Sequence, residues 1–515
     1  MTFFSAQAGK AAVLRWHWIL LLSLLSTLPF LFVRVPPLVD VPGHIGRFAV
    51  QLAPADSILH RYFVFAWRPT LNLGADLIVQ ALHPLLGPVA AMWLVCAAVP
   101  ALTVLGLLAV TRRLNPGGAA ALPFALLFVY NDSFLWGFVN YALSAALSLC
   151  GWALWMVLER RKVLRALVFA LFAPALFFGH GEGGALLLLW IAAWEAERIG
   201  RWWQPRGLAT LAATLWPFLF VAAPVLLSAG GDRGGKTVWD FPGKIDALFN
   251  MLRDQNMAFD LASLGAAFAV LLYGRLRGAR LARGGRLAVW ASFALFLAAP
   301  YQLSGTANVD ARLIAHAMML ALALQDWSRV QRRPRGWVAA AGMALLVLRF
   351  GVTTASFIGY GQRYHRELQA LDHVARGSRV LNLTLADCGV RAWRNPRTTH
   401  LANLATLERD AWVNAHWAVK SIHLLESRYA PPGFATDPSQ LVSPPDCVGT
   451  TGAGRYRYTI AQRLPTLPLD RVDYLWLIDV TLPPGPRDAR LVPIWRSGSS
   501  TLYAIHPIKR TKYGT

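Results

Sequence analysis

The sequence predicts an all-α polytopic transmembrane bundle followed by an exported C-terminal α/β domain. Its 515 residues are 56% hydrophobic and only 15% charged, whereas soluble domains carry about 25% charged residues. Several long apolar stretches contain no Asp, Glu, Lys or Arg. Charge is denser near the C-terminus, because residues 363–515 carry 20 basic and 12 acidic side chains, against 30 and 15 in the 362 residues before them.

The apolar stretches have the length of membrane spans. A bilayer core about 30 Å thick requires roughly 20 apolar residues in a helix. Six charge-free stretches approach or exceed this length: 16–33, 77–111, 114–131, 133–158, 207–231 and 287–309. Five weaker spans, interrupted or clipped by a charge, lie near 165–180, 183–199, 258–274, 311–326 and 336–357. We therefore expect eleven spans, a transmembrane domain over 1–358 and an α/β domain over 359–515.

Basic residues concentrate on alternate turns of the predicted bundle. The first span follows Lys10 and Arg15 and lacks a small-residue cleavage site, which favours an uncleaved anchor with a cytoplasmic N-terminus. On this topology the inner turns hold 20 basic and 4 acidic residues, and the outer loops hold 9 and 11. This asymmetry follows the positive-inside rule. An odd number of spans then places the C-terminal domain outside, in the periplasm or the extracellular space.

Topology thus explains most of the net charge of +23. The arginines of the inner turn 275–286 are separated by Leu, Ala and Gly rather than by aromatic residues that would stack on bases. Nucleic acid is therefore not an expected partner, and contact with anionic membrane lipid is.

The tail contains short apolar runs that predict the strands of a small α/β domain. These runs are Val380–Leu383, Tyr474–Ile478 and Ser500–Ile505. Cys388 and Cys447 both lie in the exported tail, where oxidising conditions permit a disulfide, and we predict that they form one.

The acidic residues of the bundle gather at the outer ends of the predicted spans. They are Asp40, Asp132, Glu182 and Asp310, and His180 and Arg312 lie in the same turns. Polar groups retained at a membrane despite their cost are typically functional. If the helices form one bundle, these turns surround a single outward-facing cavity. Each residue taken singly is also compatible with a solvated turn.

The segment 38–47 combines several of these features. Pro42 suits the first turn of a helix, and Asp40 is placed to cap that helix. His44 and Arg47 follow Asp40 at i+4 and i+7, so the three side chains project from about the same face. An acid, an imidazole and a guanidinium on one face suit anion binding and proton transfer. A capping Asp beside two interfacial residues is the alternative interpretation.

Two long external loops, 34–75 and 229–257, distinguish the chain from a simple pore. After the first loop, the apolar run 77–111 is too long for one span, and we expect it to break at Pro84, Gly87 and Pro88. The second loop opens with a Gly-rich segment in which Arg233 and Lys236, with backbone N–H groups, could hold a lipid phosphate. A flexible loop is the alternative for this segment. An amphipathic helix at 245–252 follows and suits the membrane interface.

Three short motifs carry a resemblance to a known class of enzymes. They are Asp40-x-Pro42-x-His44-x-x-Arg47, Gly137-Phe-Val-Asn140-Tyr and Asp310-x-Arg312. With the loop arrangement and the exported domain, they resemble the GT-C class of polytopic glycosyltransferases, which includes the lipid A aminoarabinose transferase and the protein O-mannosyltransferases. The motifs themselves resemble those of a group of bacterial membrane proteins that is associated with this class. The likeness covers most of the chain as architecture and a few residues as motif.

The resemblance implies inverting transfer of a sugar from a polyprenyl-phosphate donor to a glycan, lipid or protein acceptor at the outer face of the bacterial inner membrane. In that class the first-loop acid is the catalytic base or a metal ligand, and this role falls on Asp40. Asp132 matches the second-loop acid of many members, and His44 joins the catalytic group. The remaining candidates for binding substrate or the lipid phosphate are Arg312, Arg47, Lys236, Arg233, Asp310, His180 and Glu182.

The sequence does not decide whether the predicted site binds a metal ion. Many members of the class carry paired acids in the first loop, whereas here Val41 follows Asp40. Asp40 together with His44, Asp132 or Glu182 could still hold Mg²⁺ or Mn²⁺.

Two other functions use the same kind of lipid-linked sugar. A transporter or flippase favours broken helices and ionisable groups near the membrane midplane, whereas the acids here are peripheral and few polar residues lie deeper, such as Asn140, Gln302 and His316. An O-antigen ligase or polymerase would depend on external Arg and His residues rather than on an acid.

Overall fold

The computed structural model describes residues 12–229, 236–303, 306–418, 423–447, 458–484 and 488–506. The protein is mostly helical, at 61% of its residues, and carries a sheet in its C-terminal part, as the sequence predicts. The chain forms two compact units. The helical unit comprises Met1–Phe32, Arg68–Ala81 and Trp93–Ser356, and the sheet unit comprises Val33–Trp67, Leu82–Met92 and Phe357–Thr515.

Among the described residues, six helices are long and apolar enough to cross a membrane. They are Gly74–Leu114, Val139–Val157, Lys162–Gly179, Pro205–Ser228, Met257–Leu276 and Arg332–His373. Four shorter apolar helical segments span Trp16–Phe32, Leu122–Leu135, Arg286–Ala298 and Ala311–Ala323. The remaining helices of four or more residues outside these segments are Val41–Gln51, Gly181–Ile199, Phe241–Asn250, Leu404–Arg409 and Ile460–Arg463, with 3₁₀ turns at Ile58–Arg61 and Gly389–Trp393. The predicted total of eleven spans stays a prediction.

The long helix Gly74–Leu114 is broken where the sequence predicts. Gly87 has φ 72° and ψ 166°, outside the helical region, in a conformation that residues with a side chain rarely adopt. Pro84 and Pro88 flank it and cannot donate backbone hydrogen bonds. The apolar run 77–111 therefore divides at this point.

Small residues allow the core helices of the helical unit to approach closely. A Cβ at Gly106 would lie 2.6 Å from the Cβ of Leu149, and one at Gly183 would lie 2.4 Å from the Cβ of Ser144. Ser148 Oγ donates to the carbonyl of Gly183 at 2.7 Å. Small and hydroxyl residues at helix contacts are typical of membrane bundles, because association there depends on close packing.

Several buried charges of the helical unit are paired. Arg349, the basic residue inside the last predicted span, lies 3.0 Å from Asp260 in the first turn of Met257–Leu276. Arg165 lies 3.2 Å from Glu195, which also accepts a hydrogen bond from Trp155. Pairing offsets the cost of removing each charge from water.

The sheet unit contains a six-stranded mixed sheet. Its main path runs Trp412–Val413, Arg379–Leu385, Tyr474–Ile478, Ser500–Ile505 and Leu491–Ser497, and Leu441–Val442 pairs with the far end of Arg379–Leu385. Pairings to Arg379–Leu385 are parallel, and those to Ser500–Ile505 are antiparallel. The three predicted strands are thus present. Cys388 and Cys447 are joined by a disulfide with a Cα–Cα distance of 5.6 Å.

Most of the predicted external loop 34–75 is part of the sheet unit. Its Val50, Leu59 and Phe63 lie in one hydrophobic core with residues of the central strands. Its strand Phe63–Phe65 pairs antiparallel with Leu425–Ser427. The first loop is therefore held by backbone hydrogen bonds and by apolar burial, both made with the C-terminal region.

Candidate functional site

The helix Val41–Gln51, called the first-loop helix below, places the predicted Asp40, His44 and Arg47. Asp40 occupies the N-cap position and a proline lies in the first turn, as the sequence predicts. The Asp40 side chain does not form a capping hydrogen bond, so capping does not account for this residue. The Asp40 carboxylate therefore lies at the positive end of the helix dipole.

Two glycines bring the first-loop helix against the segment 400–417. A Cβ at Gly46 would lie 2.4 Å from the backbone oxygen of Asn403 and 2.8 Å from the ring of His416. A Cβ at Gly43 would lie 2.6 Å from the ring of Trp417. These glycines lie three residues apart on one face of the helix. Because glycine has no Cβ, the helix can approach the segment 400–417 at both positions.

His400 faces two carboxylates across this contact. Its Nε2 lies 3.9 Å from Oδ1 of Asp40 and 3.9 Å from Oδ1 of Asp437. Its Nδ1 lies 3.2 Å from the carbonyl oxygen of Ala415, which can only accept, so Nδ1 carries the proton in the neutral ring. Burial lowers the pKa of His400 although the charge of Asp437 opposes this shift. A neutral His400 therefore presents the lone pair of Nε2 between the two acids.

Hydrogen bonds hold the groups around His400 in place. Asp437 Oδ1 accepts from Gln440 Nε2 at 2.5 Å, and the Asp437 backbone N–H donates to the carbonyl of His416. Asn403 Nδ2 donates to the same Ala415 carbonyl that binds His400, at 2.9 Å. The ring of His400 is thus fixed in orientation and in tautomer, as acid–base catalysis requires.

His44 and Arg47 lie on the same face of the first-loop helix as the sequence predicts. Arg47 Nη2 is 3.5 Å from His44 Nδ1, and the Arg47 residue is only 9% exposed. The ring of Trp417 lies 5.5 Å from that of His44 and 4.3 Å from that of His400. Trp417 therefore joins two groups of contacts: His400 with Asp40 and Asp437, and His44 with Arg47.

Two buried histidines, His400 and His416, and the half-buried His423 predict that the stability of the sheet unit is sensitive to acid. Burial lowers the pKa of His416 to about 3, with smaller contributions from His400 and Arg47, and lowers that of His423 to about 4. A histidine whose folded-state pKa lies below the unfolded value near 6.5 binds its proton first in the unfolded chain. The contribution of each such histidine to the free energy of unfolding is then fully present above about pH 6.5. It falls by about 1.4 kcal/mol for each pH unit as the pH drops towards the folded-state pKa.

We expect the purified protein in detergent to lose thermal stability steeply between about pH 6.5 and pH 4. His416→Gln should make the pH dependence shallower by about one proton, because that side chain no longer titrates. The check is the slope of the unfolding free energy against pH for both proteins. Equal slopes would show that His416 is charged in the folded state.

The predicted residues of the helical unit form two ion pairs. Arg312 Nη1 lies 3.1 Å from Glu182 Oε1, and Nη2 donates to the carbonyl of Ala307 at 3.0 Å. Lys244 Nζ lies 2.8 Å from Asp310 Oδ2. Asp310 also caps the helix Ala311–Ala323. Arg312, a predicted ligand of the lipid phosphate, thus already has a carboxylate partner.

The remaining predicted residues of the helical unit are His180, Asp132, Lys236 and Arg233. His180 lies between the helices Lys162–Gly179 and Gly181–Ile199, with its ring 5.5 Å from that of Tyr141. Asp132 begins the helix Asp132–Leu135, and its Oδ1 is buried without a hydrogen-bond partner among the described residues. Lys236 is exposed. Arg233 lies outside the described residues.

A cation-binding cluster is not found among the residues that the structure describes, since no three His, Cys, Asp or Glu side chains there are arranged to hold a metal ion. Asp40 belongs to the sheet unit, and Asp132 and Glu182 belong to the helical unit. The single cavity surrounded by all the predicted acids remains a prediction.

Sequence reasoning missed His400, Asp437 and Trp417. They lie more than 350 residues after Asp40, and no local pattern relates the two segments. One signal in the sequence is an unusual density of amides and imidazoles in the segment 395–416. These residues are Asn395, His400, Asn403, Asn414 and His416. In the structure all five are buried. Buried polar side chains are normally retained with defined hydrogen-bond partners.

Comparison with known proteins finds no matching family model, curated protein or solved structure.

The contact at Gly46 gives a direct test of the site's architecture. Gly46→Ala should destabilise the sheet unit by about 1–3 kcal/mol, because the added Cβ meets the backbone of Asn403 and overpacks the contact. Gly359→Ala is the matched control, since a Cβ there meets no atom within 4 Å, and it should stabilise its helix by about 0.5–1 kcal/mol. Thermal unfolding in detergent measures both. A neutral Gly46→Ala would mean that the helix is not packed against Asn403.

Proposed function

We propose that the protein is a polytopic glycosyltransferase of the GT-C type, which transfers a sugar from a polyprenyl-phosphate donor to an acceptor hydroxyl. The observation that carries this proposal is the Asp40 carboxylate at the N-terminus of the first-loop helix, not used for capping and facing Nε2 of His400 at 3.9 Å. A first-loop acid is also the residue to which the class resemblance gives the central role.

The proposed reaction is a single displacement at the anomeric carbon. Asp40 accepts the proton of the acceptor hydroxyl as the oxygen of that hydroxyl forms the new glycosidic bond. The bond between the anomeric carbon and the phosphate oxygen breaks at the same time, and the polyprenyl phosphate leaves with the electron pair. Attack opposite the leaving group inverts the anomeric configuration.

The neighbours of Asp40 support this role. A hydroxyl beside Asp40 donates its single proton to the carboxylate, and the lone pair of His400 Nε2 can accept from a neighbouring hydroxyl of the same acceptor, which orients that acceptor. Asp437 provides a further acceptor for other hydroxyls of a sugar. Arg47 supplies a nearby positive charge that offsets the negative charge of the site and of the leaving phosphate.

The proposed location is the bacterial inner membrane, with the sheet unit on the outer side. The six long apolar helices support a membrane protein, and the asymmetry of basic residues supports the orientation.

A fusion of alkaline phosphatase after residue 365 tests this orientation. The fused phosphatase should be active, because alkaline phosphatase folds only in an oxidising compartment. If this fusion is inactive and a fusion in the turn 198–206 is active, the orientation is the reverse of the one proposed.

The function can be tested in cells of the source organism. Deletion of the gene should cause a polyprenyl-phosphate sugar to accumulate in the outer leaflet, because the donor is no longer consumed, and should remove the corresponding sugar from the cell envelope. Mass spectrometry of lipid extracts, with and without periodate treatment of intact cells, measures the amount and the leaflet. Accumulation in the inner leaflet would favour the flippase alternative.

A further inference from the structure

The helical unit contains a cleft that the proposed chemistry does not use. It lies between the end of the helix Met257–Leu276 and the start of the helix Arg332–Leu368, and its volume is about 520 Å³. Its lining includes Arg277 and Arg333 together with Phe124, Tyr273, Trp337 and Val338. We call it the Arg277–Arg333 cleft.

The walls of the cleft are fixed by packing within the helical unit. Tyr273 packs against Trp327 with ring centroids 6.2 Å apart, and the guanidinium of Arg277 lies 5.2 Å from the centroid of the Tyr273 ring. Gly342 lets Phe124 approach, since a Cβ there would lie 2.5 Å from the Phe124 ring. The cleft is therefore formed by the fold before any ligand enters.

The charge that lines the cleft is positive and unbalanced. Among the residues that the structure describes, neither Arg277 nor Arg333 forms an ion pair, whereas Arg113 and Arg198 on other predicted inner turns pair with Glu159. No Asp or Glu lines the cleft. Two guanidinium groups without acidic neighbours favour an anionic ligand.

The apolar part of the cleft restricts the kind of anion. Val270, Val338 and Ala341 belong to long apolar helices, and all three line the cleft. Trp337 is 61% exposed, and exposed indoles at helix ends are typical of the membrane interface. Both arginines lie on turns that the positive-inside rule places on the cytoplasmic side. Basic pockets between membrane helices on that side suit anionic lipid headgroups.

We infer that the Arg277–Arg333 cleft binds the headgroup of an anionic phospholipid of the inner leaflet. The two guanidinium groups would bind the phosphodiester through charge-assisted hydrogen bonds, and one acyl chain would lie along Val270, Val338 and Ala341. This binding site is separate from the Asp40 chemistry and can exist whether or not the protein transfers sugars.

Native mass spectrometry of the full-length protein in detergent tests this inference. The probes are phosphatidylglycerol and phosphatidylcholine with identical acyl chains. We expect tighter retention of one phosphatidylglycerol, and about tenfold weaker retention in Arg277→Gln/Arg333→Gln, a change of about 1.4 kcal/mol. Arg275→Gln/Arg332→Gln removes the same charge from the same two turns without touching the cleft, and it should bind like the wild type.

A second variant keeps the test decisive if the glutamine variant is poorly folded. Arg277→Lys/Arg333→Lys retains both charges and should retain most of the selectivity for phosphatidylglycerol. Equal retention of the two lipids, unchanged binding in the glutamine variant, or an equal loss in the Arg275/Arg332 control would overturn the inference. Displacement of phosphatidylglycerol by an equal concentration of polyprenyl phosphate would also overturn it, and would assign the cleft to the carrier lipid.

Discussion

Asp40→Asn should lower the rate of sugar transfer by about 10²- to 10⁴-fold, the range that general acid–base groups contribute. The amide keeps the size and most of the hydrogen-bonding shape of the carboxylate but does not accept the proton of the acceptor hydroxyl. Donor affinity should change little, because the base acts on the acceptor. Transfer from a labelled polyprenyl-phosphate donor and donor binding are measured on the same purified protein.

Asp56→Asn is the matched control for this substitution. Asp56 lies in the same external loop, sixteen residues after Asp40, and is exposed. It should keep full transfer activity, since its side chain is outside the contact between the first-loop helix and the segment 400–417. Full activity in Asp40→Asn would remove the base assignment, and an equal loss in Asp56→Asn would indicate a general effect of loop charge.

Arg349→Met should destabilise the helical unit by about 3–5 kcal/mol, because it leaves the Asp260 carboxylate buried without its cation. The two side chains are only 5% and 3% exposed. Arg349 also donates to the carbonyl of Leu252, so the substitution removes a second contact. Thermal or denaturant-induced unfolding in detergent should show the loss as a lower midpoint.

Two further variants separate the ion pair from other effects of the Arg349 substitution. Arg332→Met changes an exposed arginine of the same helix and should change stability by no more than about 0.5 kcal/mol. Arg349→Met/Asp260→Leu replaces both charges by apolar groups and should recover most of the stability. Replacing both members of a buried ion pair in this way often has little effect on stability. A double variant as unstable as Arg349→Met would contradict a simple unpaired-charge explanation.

Much of the architecture follows from composition and local pattern. Charge-free stretches of about 20 residues have few stable forms other than apolar helices, and the runs at Tyr474–Ile478 and Ser500–Ile505 become strands because they are short, apolar and bounded by turn residues. The break at Gly87 is also readable locally, since a glycine between two prolines interrupts a helix wherever it occurs.

The association of the first loop with the tail could not be predicted from local pattern. The strand Phe63–Phe65 pairs with Leu425–Ser427, and such distant pairings leave no periodic signal in either segment. His400 and Asp437 reach Asp40 only through this association. The spacing of Gly43 and Gly46 indicates a close helix contact but does not identify its partner.

The predicted residues of the bundle show a second limit of sequence reasoning. Asp310 and Arg312 lie two residues apart at the start of one helix and suggest a common binding site. Asp310 pairs with Lys244, however, and Arg312 pairs with Glu182. Whether a charge binds substrate or stabilises the fold depends on these distant partners, which spacing alone does not specify.

The fate of a doubly labelled donor in proteoliposomes tests the proposed transfer most directly. The purified protein is reconstituted with a polyprenyl-phosphate sugar that carries one label in the sugar and another in the lipid phosphate, together with an acceptor extract. Glycosyl transfer predicts that the sugar label becomes bonded to acceptor while polyprenyl phosphate is released in equal amount, and that Asp40→Asn does neither. Intact donor recovered from the opposite leaflet, with no cleavage of the sugar–phosphate bond, would contradict glycosyl transfer.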